Sequence, residues 1–208
     1  MQSQNEKLLE RGAAFLQDPK IMNRLSEQTR KDIQEGKKEF FLSDFYVRKK
    51  LDGFAGEIEL IRVVDSAAIG ITRFDKGVPI PHADIAVVAI GLAYAYDATD
   101  LLVADQVRYA SSEYLNTFPT KLVNADLVVK NGQHLIIESR VKQFLANAYA
   151  DFGVGANDEN NVLLPTPKLL QARKTTTANL KFPVNGAAPA HSHFVEVTFK
   201  GVYIADRA

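Results

Sequence analysis

Hydrophobic residues follow a helical period in the first part of the chain and a period of two in the rest. Apolar positions over residues 4–17 recur every three or four residues between charges, which predicts a helix ending just before Pro19. A thinner apolar stripe predicts a second helix over residues 21–35, and Gly36 fits its C-cap. From residue 56 onward, alternation of apolar and polar positions predicts β-strands instead.

The β-rich part contains one strong local signal and several longer runs. Asn131-Gly132 separates two β-rich runs within residues 122–141, and an Asn-Gly pair in this position is typical of a type I′ hairpin turn. The other predicted strands cover residues 57–64, 84–96, 168–182 and 193–204. The last strand divides its side chains between two faces, with Val195, Val197, Phe199 and Tyr203 on one and Glu196, Thr198 and Lys200 on the other.

Residues 84–96 form a long apolar run, expected to be buried on both faces. Because successive side chains of a strand point to opposite faces, this run has one face of larger residues and one of small residues. The predicted larger face comprises Val88, Ile90, Leu92, Tyr94 and Tyr96, and the small face Ala89, Gly91, Ala93 and Ala95. Small residues favour close approach by another sheet or chain. We therefore expect Gly91 and Ala93 at a subunit interface.

The order of the predicted elements indicates the fold class. At least six strands at irregular spacing, without strand–helix–strand alternation, predict a mainly β, antiparallel sandwich. We predict two parts, an N-terminal helical arm over residues 1–52 and a β-sandwich domain over residues 53–208. The arm contains a dense aromatic cluster that either packs on its own domain, docks on a neighbour or lies on a membrane surface. Its candidate interface residues are Phe40, Phe41, Phe45 and Tyr46.

Charge separates the two parts although the whole chain is neutral. There are 25 basic and 25 acidic residues, and the first fifty residues hold eleven basic and eight acidic ones. Zero net charge disfavours a dedicated nucleic-acid reader, which needs a surplus of Lys and Arg. A local contact with nucleic acid or a membrane stays open for Arg48, Lys49 and Lys50, which follow the aromatic cluster; the alternative is a solvated face.

The absence of cysteine excludes disulfides, thiolate metal sites and cysteine nucleophiles. No run of about 18 apolar residues predicts a membrane span. The charged N-terminal segment does not resemble a secretory signal. We therefore expect a protein made in a cytoplasm, neither secreted by a signal peptide nor transmembrane.

Two histidines near the end of the chain form a candidate metal motif. His191 and His193 are one residue apart, so that a strand would place both imidazoles on one face. With Gly186 and Glu196 they resemble the first metal motif of the cupins, a family of β-sandwich barrels. The match is imperfect because alternation puts Glu196 opposite His193 and because no histidine follows. A cupin-like metalloenzyme is therefore an alternative, and two exposed histidines entering the last strand are the simpler interpretation.

Other catalytic patterns are missing. The sequence contains no G-x-S-x-G nucleophile elbow, no Walker A motif and no G-x-G-x-x-G after a strand. Asp97, Asp100 and Asp105 are expected to form caps and turns. We expect no enzymatic activity, no cofactor and no small-molecule substrate. A ligand-binding sandwich module is a further alternative, and its aromatic platform would comprise Tyr94, Tyr96, Tyr109 and Tyr114.

Three segments of the later part of the chain carry a family resemblance. They are the hairpin NADLVVKNGQHLIIESRVKQF, the proline-bracketed PTPKLL that enters a long polar strand, and the terminal run FVEVTFKGVYIAD. In order and style, residues 56–208 resemble the jelly-roll coat and other virion proteins of small icosahedral bacterial viruses. Those proteins have a similar hairpin, a long strand that ends in a Lys/Phe/Pro turn, and a last strand with a central glycine.

The resemblance implies a jelly-roll β-sandwich with an N-terminal α-helical extension. It implies a structural protein of a virus particle, a capsid or other virion component that self-assembles through symmetric contacts between copies. The implied partners are further copies of the chain and other virion proteins, and the implied location is the virion. In such proteins an N-terminal arm contacts neighbours, genome or an inner membrane.

Overall fold

A computed structural model of the protein describes residues 3–25, 27–80, 82–97, 99, 118–144, 161–183 and 192–206. The helices in these ranges are α1 Gln4–Gln17, α2 Pro19–Met22, α3 Glu27–Gln34 and α4 Thr120–Val123, with a single 3₁₀ turn at Val141–Phe144. The strands are β1 Lys38–Leu51, β2 Glu57–Ile61, β3 Phe74–Asp75, β4 Val78–Pro79, β5 Ile85–Asp97, β6 Asp126–Asn131, β7 His134–Arg140, β8 Asn161–Leu170, β9 Thr176–Lys181 and β10 Ser192–Asp206.

The eight longer strands form two four-stranded sheets. Sheet A has the order β1-β10-β5-β8 and sheet B the order β2-β9-β6-β7, while β3 and β4 form a separate small hairpin. Every pair of neighbouring strands is antiparallel. The prediction of a mainly β, antiparallel protein is therefore confirmed.

Residues 38–51 belong to sheet A. β1 pairs with β10 over its whole length, from Lys38 opposite Asp206 to Leu51 opposite His193. The sheet therefore begins at Lys38, and the boundary predicted at residue 52 falls at the end of a strand. Within β1, every second residue from Phe45 faces the core, so the alternating period already runs through the aromatic cluster assigned to the arm.

One hydrophobic core lies between the two sheets. Phe45 and Phe199 come from sheet A, Leu127 and Leu180 come from sheet B, and all four are fully buried. Phe74 packs edge-on against Phe199 with ring centroids 5.9 Å apart. We call the face of each sheet that lines this core its inner face.

The helix α1 covers the outer face of sheet A. Leu8 and Leu16 are buried there against a second apolar cluster that includes Val88 and Val202. Gly12 permits the close approach, since a Cβ atom at this position would lie 2.3 Å from Cγ2 of Val202. The predicted helix over residues 4–17 is confirmed. In the part of the chain that the structure describes, no helix combines the length and apolarity needed to cross a membrane.

An arginine of α1 fastens the helix to the edge strand β8. The Arg11 guanidinium donates hydrogen bonds to the carbonyl oxygens of Leu164 and Pro165, the latter at 2.6 Å. The pairing of β8 with β5 is interrupted between Leu163 and Lys168. Arg11 therefore satisfies carbonyls at a place where the sheet leaves backbone groups without ladder partners.

Three predicted elements differ in detail. The second helix is divided into α2 and α3. The strand predicted over residues 168–182 is two strands, β8 and β9, joined by a turn at residues 171–175. In β5, the register shifts between Val87 and Ala89, and this bulge turns Val88 onto the outer face while Ile90 faces the core.

Candidate functional site

Three exposed apolar side chains lie in the connection between β2 and β3, residues 62–73, which we call the anchored turn. Val63 is 53% exposed, Val64 is 72% exposed and Ile69 is fully exposed at 102%. Single exposed apolar residues are ordinary, but three of them in one short connection point to an interaction site. This turn is therefore the strongest candidate surface in the described structure.

The backbone of the anchored turn is hydrogen-bonded to the free edge of β1. The Arg48 N–H donates to the Ile71 carbonyl at 2.8 Å, and the Arg73 N–H donates to the Tyr46 carbonyl at 3.0 Å. These bonds extend sheet A by a short segment on the side of β1 away from β10. The anchored turn is thus fixed in position by a strand of the main sheet.

The tip of the turn is held by further bonds. The Thr72 N–H donates to the Ala68 carbonyl at 2.9 Å, and Gly70 has a φ of +78°, which glycine adopts without steric cost. The Gly70 N–H donates to the Tyr46 hydroxyl at 3.2 Å, and the Arg48 guanidinium donates to the Gly70 carbonyl. Ile69 therefore projects from a preorganised loop.

Arg48 is the central polar side chain of this network. Its Nε lies 2.5 Å from Oε2 of Glu196, and the two side chains are only 14% and 9% exposed. The guanidinium also lies 4.9 Å from the centre of the Tyr46 ring, and the Thr198 hydroxyl donates to Glu196 at 3.2 Å. The charge of Arg48 is thus compensated inside the protein, whereas the predicted contact with nucleic acid or a membrane requires a presented cation.

Two more arginines fix the ends of the anchored turn. The Arg73 guanidinium donates to the Ser43 hydroxyl at 2.7 Å and to the Asp44 carbonyl at 3.0 Å. Arg62 contacts Asp65 through three short hydrogen bonds, the closest at 2.6 Å. The hydrogen bond from Arg62 lowers the pKa of the Asp65 carboxyl below its usual value.

The aromatic residues of the predicted arm have separate environments. Phe45 is fully buried in the core between the sheets, and Phe40 packs beneath α1. Tyr46 supports the anchored turn through its hydroxyl and ring. Phe41 remains 36% exposed, with its ring 5.7 Å from that of Tyr203.

The small residues of β5 are buried within a single chain. Gly91 lies opposite Thr198 on one side and Asn161 on the other, and Ala93 is 6% exposed. Both residues are therefore buried in a single chain, without a neighbouring copy. The interface predicted there from small side chains is therefore not available on the surface.

The histidine motif is divided between two faces of β10. His193 is 8% exposed on the inner face, and its Nδ1 lies 2.5 Å from the Tyr94 hydroxyl. Phe54 lies against the imidazole with ring centroids 4.9 Å apart. Glu196 is bound to Arg48 on the opposite face, as alternation predicted, so the structure does not bring it to His193. His191 lies outside the described residues.

Of the remaining predicted site residues, some are described by the structure and others are not. Burial raises the pKa of the Tyr94 phenol above its usual value, and this residue forms part of the core. Tyr96 is 38% exposed, while Tyr109, Tyr114, Asp100 and Asp105 lie outside the described residues. Within the described ranges, no three His, Asp or Glu side chains are grouped to bind a metal ion.

The anchored turn is not predicted by the alternation of apolar and polar residues. The strand predicted over residues 57–64 includes Val63 and Val64, whereas in the structure β2 ends at Ile61. The available signal was an apolar content unusual for a connection, with Ile69 beside Gly70 in a segment that does not alternate. Comparison of the chain with known protein families, with curated proteins and with solved structures finds no match in any of the three.

Proposed function

We propose that the two sheets form a jelly roll. Among the eight long strands, the first pairs with the last, the second with the seventh, the third with the sixth and the fourth with the fifth. This is the pairing of one long antiparallel ribbon folded over itself, as in the double-sheet jelly roll. The three segments that carry the resemblance to virion proteins correspond to the β6–β7 hairpin, β8 and β10.

We further propose that the protein is a structural component of a virus particle that assembles from copies of itself. The observation that carries this proposal is the fully exposed Ile69 on a turn fixed by Arg48, Tyr46 and Arg73. Exposure of an isoleucine to water is unfavourable in the isolated chain. Because the turn is preorganised, binding a neighbour through it costs little conformational entropy.

The charge balance of the chain supports the same proposal. The 25 basic and 25 acidic residues give a net charge of zero, which limits repulsion between many copies packed side by side. The buried pairing of Arg48 with Glu196 also compensates one strong charge beside the apolar turn. An apolar surface of this kind is suited to contact with another protein surface.

The test compares two single substitutions at exposed apolar positions. Ile69→Asp changes the anchored turn, and Leu135→Asp changes β7 of sheet B, where Leu135 is 53% exposed. We expect the native chain to form symmetric oligomers as its concentration rises. Since a carboxylate would be buried in the contact, Ile69→Asp is expected to raise the assembly midpoint at least about tenfold, and Leu135→Asp is expected to leave it unchanged.

Sedimentation velocity over a wide concentration range measures assembly, and electron microscopy of concentrated protein shows its symmetry. Circular dichroism melting checks that both variants stay folded. A native chain that remains monomeric at every concentration contradicts the proposed function. An oligomeric native chain with equal effects from both substitutions contradicts the role of the anchored turn.

A further inference from the structure

A cavity of about 350 Å³ opens between β1, β2 and the anchored turn. Its wall combines polar and charged residues with the apolar residues Val47, Leu60, Ile61, Ile71 and Phe74. Small-molecule sites in proteins have volumes of about 300 to 1,000 Å³ and combine an apolar wall with a few polar groups. The cavity therefore has the size and character of a site for a compact ligand.

The charged residue that distinguishes this cavity is Lys49. Lys49 lies on β1 between Val47 and Leu51, two residues whose side chains enter the main core. Directly across the sheet it pairs with Val195, which is fully buried and part of the same core. Alternation along the strand thus places a half-buried lysine in a row of inward-facing apolar residues.

Among the residues that the structure describes, none compensates the charge of Lys49 at close range. Within the described ranges, no carboxylate lies at ion-pair distance from it. Asp65 also lines the cavity but is bound by Arg62, and Lys49 acts on it only through a weaker, longer-range attraction. Since Arg62 pairs with Asp65 and Arg48 pairs with Glu196, the cavity retains the one positive charge of Lys49.

We infer that this cavity binds a small monocarboxylate with an apolar body. The carboxylate would pair with the Lys49 ammonium, and the apolar body would lie against Ile61, Ile71 and Phe74. A partly buried cation is costly alone, and an anion that enters the cavity removes that cost. The inference goes beyond the structural role proposed above and does not depend on it, because the site is contained within one chain.

Octanoate and octanol, which have the same chain length, provide the test. Two-dimensional NMR of the amide groups, recorded at low salt and below the assembly concentration, measures binding of each to the full chain. We expect octanoate to shift amides of residues 47–49, 61–66 and 71–74, and to bind about tenfold more tightly than octanol.

Two neighbouring lysines give a matched pair of variants. Lys49→Gln is expected to weaken octanoate binding about tenfold and leave octanol binding unchanged, and Lys49→Arg is expected to retain octanoate binding. Lys50→Gln removes the same charge from the next residue of β1, which is not among the residues that line the cavity, and is expected to change neither affinity.

The alternative is that Lys49 protects an edge strand from pairing with other chains, as inward-pointing charges do. Octanoate that binds no better than octanol, equal effects of Lys49→Gln and Lys50→Gln, or no binding at millimolar concentration would each overturn the inference. The outcome leaves the assembly proposal untouched, because sedimentation of the Ile69→Asp protein tests that separately.

Discussion

Two connections of this protein are each hydrogen-bonded to a polar side chain of a distant strand, and we assign them different roles. The anchored turn, residues 62–73, is held by Arg48 of β1. The turn between β8 and β9, residues 171–175, is held by Asn131 of β6. In both cases a buried or half-buried side chain satisfies backbone groups that no strand ladder reaches.

Asn131, the last residue of β6, binds the turn between β8 and β9. It is 1% exposed, its amide nitrogen donates to the carbonyls of Lys174 at 3.0 Å and Gln171 at 3.3 Å, and its oxygen accepts the Gln171 N–H at 3.0 Å. The same nitrogen lies 3.2 Å from the Thr176 hydroxyl. Asn131 therefore fixes the turn between β8 and β9 to the end of β6.

The anchored turn differs because its network presents apolar groups to the outside. Arg48 and Arg73 fix a loop whose tip is the fully exposed Ile69. In our interpretation, the Asn131 network stabilises the fold, whereas the Arg48 network holds an exposed surface in position. The difference predicts that changes at Asn131 affect stability alone, whereas changes at Arg48 affect stability and assembly together.

The largest effect is expected from Arg48→Met. This change leaves the Glu196 carboxylate unpaired in a buried position, which costs about 3 kcal/mol of unfolding free energy. It also removes the donor to the Gly70 carbonyl, so Ile69 loses its fixed position and self-association weakens. Urea denaturation measures the first effect and sedimentation measures the second.

The double variant Arg48→Met, Glu196→Gln separates the two effects. It removes the unpaired charge and is expected to recover part of the lost stability without restoring assembly. Recovery of assembly in the double variant would show that Arg48 acts only on global stability, and the distinction between the two networks would then be incorrect.

A smaller effect is expected from Asn131→Ala. The change leaves a buried backbone N–H of Gln171 and carbonyls of the β8–β9 turn without partners, which costs about 2 kcal/mol. Asn124→Ala, at an exposed asparagine, is the matched control and is expected to change stability by less than about 0.5 kcal/mol. Under conditions where it is folded, the Asn131→Ala protein should assemble like the native chain; weakened assembly would contradict the comparison.

The two networks also explain which parts of the fold could be predicted. The Asn131-Gly132 turn was found because turn chemistry is local, and Gly132 has the positive φ of 59° that the pair suggests. The turn at residues 171–175 was missed because it contains no glycine or proline and its anchor lies 40 residues away in sequence at Asn131. The bulge at Val88 likewise depends on the pairing of β5 with its neighbours.

Among the candidate site residues, some could be predicted from local sequence and others could not. Arg48, Lys49 and Lys50 were assigned one role because they are adjacent and basic. The structure gives Arg48 a partner 148 residues away, which the sequence cannot reveal. The special position of Lys49 could have been found, since Phe45, Val47 and Leu51 place it in an inward row as soon as residues 38–51 are recognised as a strand.

The smallest effect is expected at Asp84, which belongs to the fold-securing side of the comparison. Its carboxylate accepts the Ala172 N–H at 2.8 Å, at the start of the turn between β8 and β9. Burial raises the pKa of this carboxyl above its usual value of 3.8, although the Ala172 N–H and the charge of Arg173 oppose the shift. Because the folded pKa exceeds the unfolded one, the protonated carboxyl stabilises the fold at low pH, and this contribution is lost as pH rises through the folded pKa.

Asp84→Asn keeps the acceptor oxygen and removes the buried charge. We expect it to increase the unfolding free energy at pH 7 by no more than about 1 kcal/mol, and to bring no gain at pH 3, where the native carboxyl is protonated. Asp126→Asn, at an exposed aspartate of β6, serves as the control in urea denaturation at both pH values. A variant less stable than the native chain at pH 7 would mean that the attraction to Arg173 outweighs the cost of burial. Unchanged self-association of the variant would show that Asp84, like Asn131, affects stability and not assembly.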